Sequence, residues 1–424
     1  METWLSYVGK LNESQVVTSP DLLGQLFNVD LTSPQVASIQ RSLVGQSIAS
    51  IEIAVDNARI LPTFNRFNSI VKNYLLFCKN INPQNPRRCF DLYGNLFVSL
   101  QNVYADQGEC CLNNVLRSVI NEIYSLLNNS DLQSDKTNSF EYFEWFAAGL
   151  LRLFNAVRSE REPVPIDAPS KKNNVLFYAC MISRAYFKSN QFVSAGNVFS
   201  NMHSVGVKLA QFPACQQVEY RFWLGRYMLY LEDVNLAFLH LDWAYQHCLD
   251  NTFQKLLILD WLVVPSILVG RLPTSLVISQ LNEHAQTIIT QLIDWLKSGK
   301  LSNNYADIIN NNPWIQARHL GPLLLLKLPL LVYRRGLKRL QLILNSSKIR
   351  LDDASLAFNL DASIDPDLVI TEGICDALIC NDYMKGKILP ATQSVVLRIT
   401  DCFPNTLTVS GPKRSLPRRD HWMS

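Results

Sequence analysis

The sequence is poor in glycine, in charged residues and in the short motifs that mark common enzyme sites. Glycine supplies 16 of 424 residues, about 4% against a usual share of roughly 7%, which argues against a glycine-rich α/β nucleotide enzyme and favours helices. Charged residues make up 18% of the chain and hydrophobic residues 48%, so a disordered chain is excluded. The length predicts two or three domains with a sizeable buried core.

Enzyme signatures are missing from the sequence. It contains no G-x-G-x-x-G and no G-x-x-x-x-G-K, and Gly299-Lys300 and Gly386-Lys387 lack the upstream glycine that a phosphate-binding loop needs. The GQSIA stretch at 45–49 misses the second glycine of a nucleophile elbow. We therefore expect a protein that is not an enzyme and that holds no cofactor.

Two histidines, His240 and His247, lie close in sequence but are a poor metal site. Seven residues along a helix separate the two rings by two turns, about 10 Å, which is too far to share one zinc ion without further ligands. We expect partly buried, hydrogen-bonded helix histidines instead, and no metal.

The ten cysteines are scattered, with no C-x-x-C pair. This pattern favours reduced thiols in a nuclear or cytosolic protein, and Cys110, Cys111, Cys375 and Cys380 are predicted to be core thiols. The beginning, METWLSYVGK, does not read as a secretory signal. The apolar stretches 256–269 and 320–332 contain charges and prolines and are too short to span a bilayer, so they predict buried helices and no membrane contact.

Composition and periodicity divide the chain. Residues 1–160 show helical periodicity, and 161–174 form a proline-rich linker or exposed loop. Residues 175–312 are predicted to form helical repeats, because small and large side chains follow the spacing of tetratricopeptide helix pairs. These residues are Leu224, Gly225, Ala237, Leu241 and Ala244, with an echo 42 residues upstream at Ala195 and Phe199. An ordinary helical bundle is the alternative.

Residues 313–403 have the element order of a winged helix. The pattern predicts helices at 314–327 and 330–344, a shorter helix at 352–358, and a fourth from Asp365-Pro366 to about Cys380. Short β-branched runs at 387–389 and 395–399 predict a hairpin. Residues 404–424 are predicted to be a basic tail. The fold class expected is mainly α, a tetratricopeptide-like solenoid capped by a winged helix.

Charge is unevenly distributed along the chain. Residues 318–424 carry 15 basic and 10 acidic side chains, net +5, which leaves 24 against 26, net −2, for residues 1–317. The stretch 308–351 has no acidic residue and eight basic ones: Arg318, Lys327, Arg334, Arg335, Lys338, Arg339, Lys348 and Arg350. A surface that accepts such repulsion suits a polyanion such as a phosphate backbone. A solvated helix face that meets an acidic protein is the alternative.

The predicted mode of binding is sequence-tolerant. The third helix of a winged helix is the one expected to enter a DNA groove, and here it carries Asp367, Glu372, Asp376 and Asp382, which phosphates would repel. We expect RNA or DNA phosphates to contact the first winged-helix segment and the tail. The candidate residues are Arg334, Arg335, Lys338, Arg339, Lys348, Arg350, Lys413, Arg414, Arg418 and Arg419. With about five phosphates neutralised, log affinity for single strands should fall with log salt at a slope of roughly −3.5.

Four segments of the sequence resemble a known family. They are VEYRFWLGRYMLYLEDVNLAFLHLDWAYQHC at 218–248, VPSILVGRLPT at 264–274, KLPLLVYRRGLKRLQLIL at 327–344 and LICNDYMKGKI at 378–388. In this order they are similar to the PCI-domain proteins of nuclear mRNA export, a group that includes a subunit of transcription-export complex two and the signalosome-associated subunit twelve. The resemblance covers about residues 175–403.

The resemblance implies a helical-repeat stack capped by a winged helix, which pairs with a larger PCI-type scaffold subunit. It also implies a small acidic partner of the Sem/Dss type and joint binding of nucleic acid, with Arg334, Lys338 and Arg339 at matching positions. Arg335 lies where the family pattern has no fixed base. The LLLLKL run at 323–328 departs from the acidic residues usual there, and the basic tail extends beyond the usual end.

Two functions remain open at this point. The first is a non-enzymatic scaffold and nucleic-acid-binding subunit of a nuclear complex that couples transcription to mRNA processing or export, with the cytoplasm as a further compartment. The second is a purely structural PCI subunit of a signalosome, proteasome-lid or translation-initiation type assembly.

Overall fold

The computed structural model describes residues 4–11, 20–58, 66–106, 110–129, 136–160, 170–358, 368–409 and 421–423. The chain divides into two compact units, one made of residues 1–220 and 419–424 and the other of residues 221–418. Helices dominate both units, and the described residues contain a single three-stranded sheet, which lies in the second. The mainly α fold class predicted from the sequence is confirmed.

The first unit is a succession of helices. They are α1 (Trp4–Leu11), α2 (Pro20–Leu26), α3 (Pro34–Ser42), α4 (Ile48–Ala58), α5 (Phe67–Asn80), α6 (Pro86–Asp106), α7 (Asn113–Leu127), α8 (Lys136–Ser159), α9 (Val175–Lys188) and α10 (Phe192–Asn201). From α5 onward, helices that follow one another in sequence pack against each other, as in stacked helical repeats.

Aromatic side chains fill the core at the beginning of the first unit. The rings of Tyr7 and Phe27 lie 5.5 and 5.1 Å from the ring of Tyr74, and all three are fully buried. The Tyr74 hydroxyl donates to the Asn28 carbonyl at 2.7 Å. The large apolar area that these rings bury holds the short helices together more than their intrinsic propensity does.

The end of the predicted linker is packed rather than exposed. Lys171 is only 3% exposed, and its ammonium donates to the Tyr104 carbonyl at 2.5 Å and pairs with Glu160 at 3.3 Å. The Asn113 amide donates to the Ser170 carbonyl at 2.9 Å. These contacts form because lysine can bury its methylene stem while its charge finds oxygen partners. Residues 161–169 lie outside the described residues.

The second unit continues the helical pairs. Its first helices are α11 (Ala214–Tyr230, which begins in the first unit), α12 (Val234–His247), α13 (Phe253–Leu268), α14 (Ser275–Ile278), α15 (Glu283–Ser298), α16 (Tyr305–Asn311) and α17 (Pro313–Gln316). Where α11 and α12 meet, a Cβ added to Gly225 would lie 2.6 Å from Leu241 Cγ. The small-residue spacing in the sequence therefore marks a real close approach of paired helices.

The winged helix closes the second unit. Its elements are α18 (Gly321–Leu344), β1 (Lys348–Arg350), α19 (Leu351–Phe358), α20 (Leu368–Cys380), β2 (Gly386–Leu389) and β3 (Ser394–Leu397). The strands are antiparallel in the order β1-β3-β2, with Ile349 and Ile388 both opposite Val395. Leu337, Cys375 and Leu378 pack with these strands in one core, which confirms the predicted winged helix.

Two details of the winged helix differ from the sequence expectation. The predicted helices 314–327 and 330–344 are instead a short α17 and the continuous α18, which contains Pro329. A proline inside a helix removes one backbone hydrogen bond, but Leu328 and Val332 on either side are fully buried, and their packing keeps the helix intact. The strand β1 was not predicted, since three residues carry too little pattern. Asp365 and Pro366 lie outside the described residues.

The predicted tail is partly ordered. The Asn235 amide donates to the Val409 carbonyl at 2.7 Å, and the Thr406 hydroxyl donates to the Val269 carbonyl at 2.5 Å, so residues 404–409 pack on the α12 and α13 region. Trp422 is buried in the first unit. Residues 404–409 and Trp422 thus make packing contacts, and residues 410–420 lie outside the described residues.

No helix in the described residues is long and apolar enough to cross a membrane. The apolar stretches 256–269 and 320–332 fall in α13 and α18, with much of each buried, as predicted. Cys111 and Cys375 are core thiols, but Cys380 is exposed, because it lies at the last residue of α20 on its outer side. The Cys110 side chain is not among those described.

Candidate nucleic-acid interface

Helix α18 turns an apolar face inward and a basic face outward. Leu328, Leu331 and Leu337 are buried, whereas Arg335 and Lys338 are exposed. The spacing of the buried leucines follows helical periodicity, and Arg335 and Lys338 fall at positions that face away from the core. The acid-free stretch found in the sequence is thus divided by the fold into buried and exposed members.

Arg334 belongs to the structural members of the basic stretch. Its Nε donates to the Tyr383 carbonyl at 3.1 Å and its Nη2 donates to the Pro404 carbonyl at 2.6 Å, while Phe403 packs 5.8 Å from the guanidinium. Burial lowers the pKa of Arg334 from its usual value, although an arginine stays charged at neutral pH. Its side chain ties α18 to the strand-forming end of the domain.

Arg339 also uses its guanidinium within the chain. It donates to the Ser298 carbonyl at 2.7 Å and to the Lys297 carbonyl, two of the free carbonyls at the end of α15. A cation at a helix C-terminus satisfies carbonyl groups that lack intrahelical partners and complements the helix dipole. Arg339 remains exposed, so it caps α15 at the surface.

Arg335 and Lys338 are the free cations of α18. Both are exposed, and in the described part of the chain no hydrogen-bond or ion-pair partner is found for either side chain. The nearest acidic residues in sequence are Asp307 and Asp352. These two side chains are therefore available to a partner that brings negative charge.

The sheet adds a second group of cations. Lys348 on β1 and Lys387 on β2 are both exposed and both lie opposite Val396 of the central strand β3. Two strand spacings separate them, about 9.6 Å, on the same face of the sheet. Arg350 pairs instead with Asp352 at 2.7 Å on the surface. Lys387 was missed from the sequence because its alignment with Lys348 depends on the unpredicted strand β1.

The other basic residues of the acid-free stretch do not face solvent. Arg318 pairs with Asp260, which also accepts a hydrogen bond from the Trp314 indole at 3.1 Å, and its guanidinium lies 4.6 Å from the Trp314 ring. Lys327 is only 7% exposed, in a small cleft that Glu232 and Asp233 also line. Both residues serve the junction between the helical repeats and α18. Lys413, Arg414, Arg418 and Arg419 lie outside the described residues.

The two histidines do not come together. His240 is buried, and its Nδ1 accepts from Arg221 at 3.5 Å; burial, reinforced by the Arg221 charge, lowers the pKa of His240 to about 4. His247 is exposed, and its Nδ1 bonds the Trp243 carbonyl at 2.8 Å. Among the residues that the structure describes, no cluster of three or more histidine, cysteine or acidic side chains could hold a metal ion.

Helical repeats followed by a winged helix, with exposed cations on α18 and the sheet, define the class of fold to which the chain belongs. Comparison with known proteins confirms the resemblance to PCI-domain proteins that the sequence motifs indicated. A PCI domain-containing protein of Schizosaccharomyces pombe is 26% identical over 394 residues, 86% of each chain. The nuclear mRNA export protein THP1 of Saccharomyces cerevisiae is 22% identical over 330 residues, 73% of this chain and 72% of that protein.

A third relative is a PCI domain-containing protein 2 homologue of Dictyostelium discoideum, 28% identical over 280 residues, 65% of this chain and 64% of that protein. No protein-family model matches the chain. Similarity over 86% of the chain cannot fit within residues 161–424. The likeness to PCI-domain proteins therefore extends into the first 160 residues, where the sequence motifs showed only a helical pattern.

Proposed function

We propose that the chain is a non-enzymatic scaffold and sequence-tolerant nucleic-acid-binding subunit of a nuclear PCI complex that couples transcription to mRNA processing and export. The relative THP1 is named a nuclear mRNA export protein, which supports mRNA export as the process in which this chain acts. Exposed cations of the winged helix support the binding activity, because Arg335, Lys338 and Lys348 have no ion-pair partner among the described residues.

The basic side chains of α18 differ in whether the fold gives them a partner, and this difference carries the proposal. Arg334 and Arg339 donate to main-chain carbonyls, whereas Arg335 and Lys338 have no partner among the described residues. Like charges that the fold leaves exposed and unpaired cost stability unless a partner brings opposite charge. The phosphate groups of a nucleic-acid strand supply such charge. These cations lie on the first helix of the winged helix and not on the helix expected to enter a DNA groove.

The proposal narrows the set of phosphate-contacting residues. Arg335, Lys338, Lys348 and Lys387 are the members with exposed side chains and no partner in the described chain. Arg334 and Arg339 position the domain instead, and Arg350 contacts phosphate only by leaving Asp352. Lys413, Arg414, Arg418 and Arg419, which lie outside the described residues, are the further phosphate contacts in this proposal.

Fluorescence anisotropy with a labelled single-stranded RNA tests the proposal. The variant is Arg335→Glu/Lys338→Glu, and its matched control is Arg152→Glu/Lys188→Glu, which reverses one arginine and one lysine on exposed helix positions of the first unit. We expect the first variant to lose about tenfold in affinity at low salt and the control to bind like the wild type. Equal binding by all three proteins would refute nucleic-acid binding at this face.

A purely structural PCI subunit of a signalosome, proteasome-lid or translation-initiation type assembly is the second candidate. Exposed apolar side chains favour it, since Leu342, Ile343 and Ile399 of the winged helix are 70%, 79% and 92% exposed. Apolar surface of this extent marks protein contacts. If the Arg335→Glu/Lys338→Glu variant keeps RNA affinity but loses a co-purifying subunit, this second function is the correct one.

The proposed partners follow the family resemblance. A larger PCI-type subunit would cover the winged helix at Leu342 and Ile343. A small acidic protein of the Sem/Dss type would cover α13, where Phe253, Leu256 and Leu257 form an exposed stripe at helical spacing. Phe253→Asp should then abolish capture of the small partner and leave capture of the large one intact. Ile343→Asp should have the opposite effect on the two captures.

A further inference from the structure

The segment His421–Met423 inserts one tryptophan into the helical repeats of the first unit. Trp422 is 7% exposed, and its ring lies 5.1 Å from the Tyr220 ring at an angle of 73°. Tyr220 in turn packs edge-on against Phe199, with 5.6 Å between ring centres. Edge-to-face contacts of this kind add specific geometry to the burial of apolar area.

One turn and two helices of the first unit line the pocket around Trp422. The Leu209–Gln211 turn packs against the His421–Met423 segment, and Leu209 is itself buried. The Gln211 side chain accepts from the Lys208 amide at 3.0 Å, which fixes the turn. Tyr220 lies on α11 and Phe199 on α10, so residues of two helices and a turn form the pocket.

The occupant is short. It consists of a single helical turn that contributes one large apolar side chain, and it comes from about 200 residues further along the chain. The burial of one indole is opposed by the conformational entropy lost in ordering the chain that carries it. A single turn held by one large side chain is therefore bound less firmly than a helix that buries a full apolar face.

We propose that Tyr220, Phe199 and the Leu209–Gln211 turn form a peptide-binding socket specific for tryptophan, and that the segment around Trp422 is its displaceable occupant. The ligand class is a short peptide segment with a central tryptophan. The socket belongs to the first unit and the basic face of the winged helix to the second, so the inference does not rest on nucleic-acid binding.

A labelled peptide of residues 420–424, DHWMS, tests the socket with the full-length chain. We expect it to bind the Trp422→Ala chain at least tenfold more tightly than the wild type, in which the socket is filled. The same peptide with alanine in place of tryptophan should bind neither protein. Equal affinity for both chains, or equal binding of both peptides, would overturn the proposal.

A second measurement does not require the alanine variant to fold. In the wild-type chain labelled with 5-fluorotryptophan, the Trp422 resonance is assigned by its absence in Trp422→Phe. An excess of unlabelled DHWMS peptide should move this resonance toward its solvent-exposed position, and the alanine peptide should leave it in place. A Trp422 resonance that ignores both peptides would show a permanent part of the core rather than an exchangeable ligand.

Discussion

The Arg334 guanidinium joins two main-chain carbonyls that are far apart in sequence, Tyr383 at 3.1 Å and Pro404 at 2.6 Å. One side chain of α18 thereby bonds both to the segment just before β2 and to the segment that follows β3. Arg335, the next residue, is exposed with no partner among the described residues. Adjacent arginines of the same basic run therefore have different roles, one in the fold and one at the surface.

This difference predicts opposite effects of two alanine substitutions. Arg334→Ala should lower the free energy of unfolding by about 1–3 kcal/mol, since it leaves two carbonyls without their charged donor. Arg335→Ala should change it by no more than about 0.5 kcal/mol but weaken RNA binding. Urea unfolding of both variants measures the contrast, and equal stabilities would show that the Arg334 bonds do not contribute.

The salt dependence of RNA affinity should report the number of phosphate contacts. Each cation lost from the interface makes the slope of log affinity against log salt shallower by about 0.7 for a single strand, so Arg335→Glu/Lys338→Glu should flatten it by about 1.4. Titrations at several salt concentrations give the slope. An unchanged slope with weaker binding would indicate that the variant acts through the fold instead of through phosphate contacts.

His240 should make stability sensitive to mild acid. Burial holds its pKa at about 4 in the folded chain, against 6.5 for the ordinary side chain. As pH falls below 6.5 the unfolded chain takes up the proton and the folded chain does not, so stability falls until pH reaches about 4. We expect a loss of about 2 kcal/mol between pH 7 and pH 5 from this group.

The matching measurement compares the wild type with His240→Gln. Urea midpoints at pH 7 and pH 5 should shift less in the variant, because glutamine keeps a polar side chain but has no proton to gain. Identical shifts in the two proteins would mean that His240 is protonated in the fold as readily as in the unfolded chain.

Gly225 and Gly373 give a matched pair for helix packing. Ala at position 225 would place its Cβ 2.6 Å from Leu241 Cγ, whereas nothing lies within 4 Å of a Cβ added at Gly373 on α20. Gly225→Ala should destabilise by about 1–3 kcal/mol through overpacking. Gly373→Ala should stabilise by up to about 1 kcal/mol through helix propensity. Thermal unfolding measures both, and stabilisation by Gly225→Ala would contradict the close approach of α11 and α12.

Several features followed from local sequence pattern alone. The spacing of Gly225, Ala237 and Leu241 predicted paired helices because small residues at that interval have a steric consequence wherever they occur. Periodicity likewise predicted the helix 352–358 and the hairpin of β2 and β3. Pro329 led the sequence pattern to predict a helix boundary that the structure does not have. The cost of a proline in a helix can be read from the local sequence. The burial of Leu328 and Val332, which outweighs that cost, depends on the tertiary structure.

The sequence determined which residues carry charge and where the acid-free stretch lies, because composition and order are its direct content. Only the tertiary structure decided which of those cations are free. Arg334 and Arg339 donate to carbonyl oxygens of residues 41 to 70 positions away. Lys348 and Lys387 lie on either side of β3 because Lys348 belongs to β1, a strand that the sequence pattern did not predict. Long-range hydrogen bonds and strand register depend on the packing of the whole unit, so no local pattern encodes them.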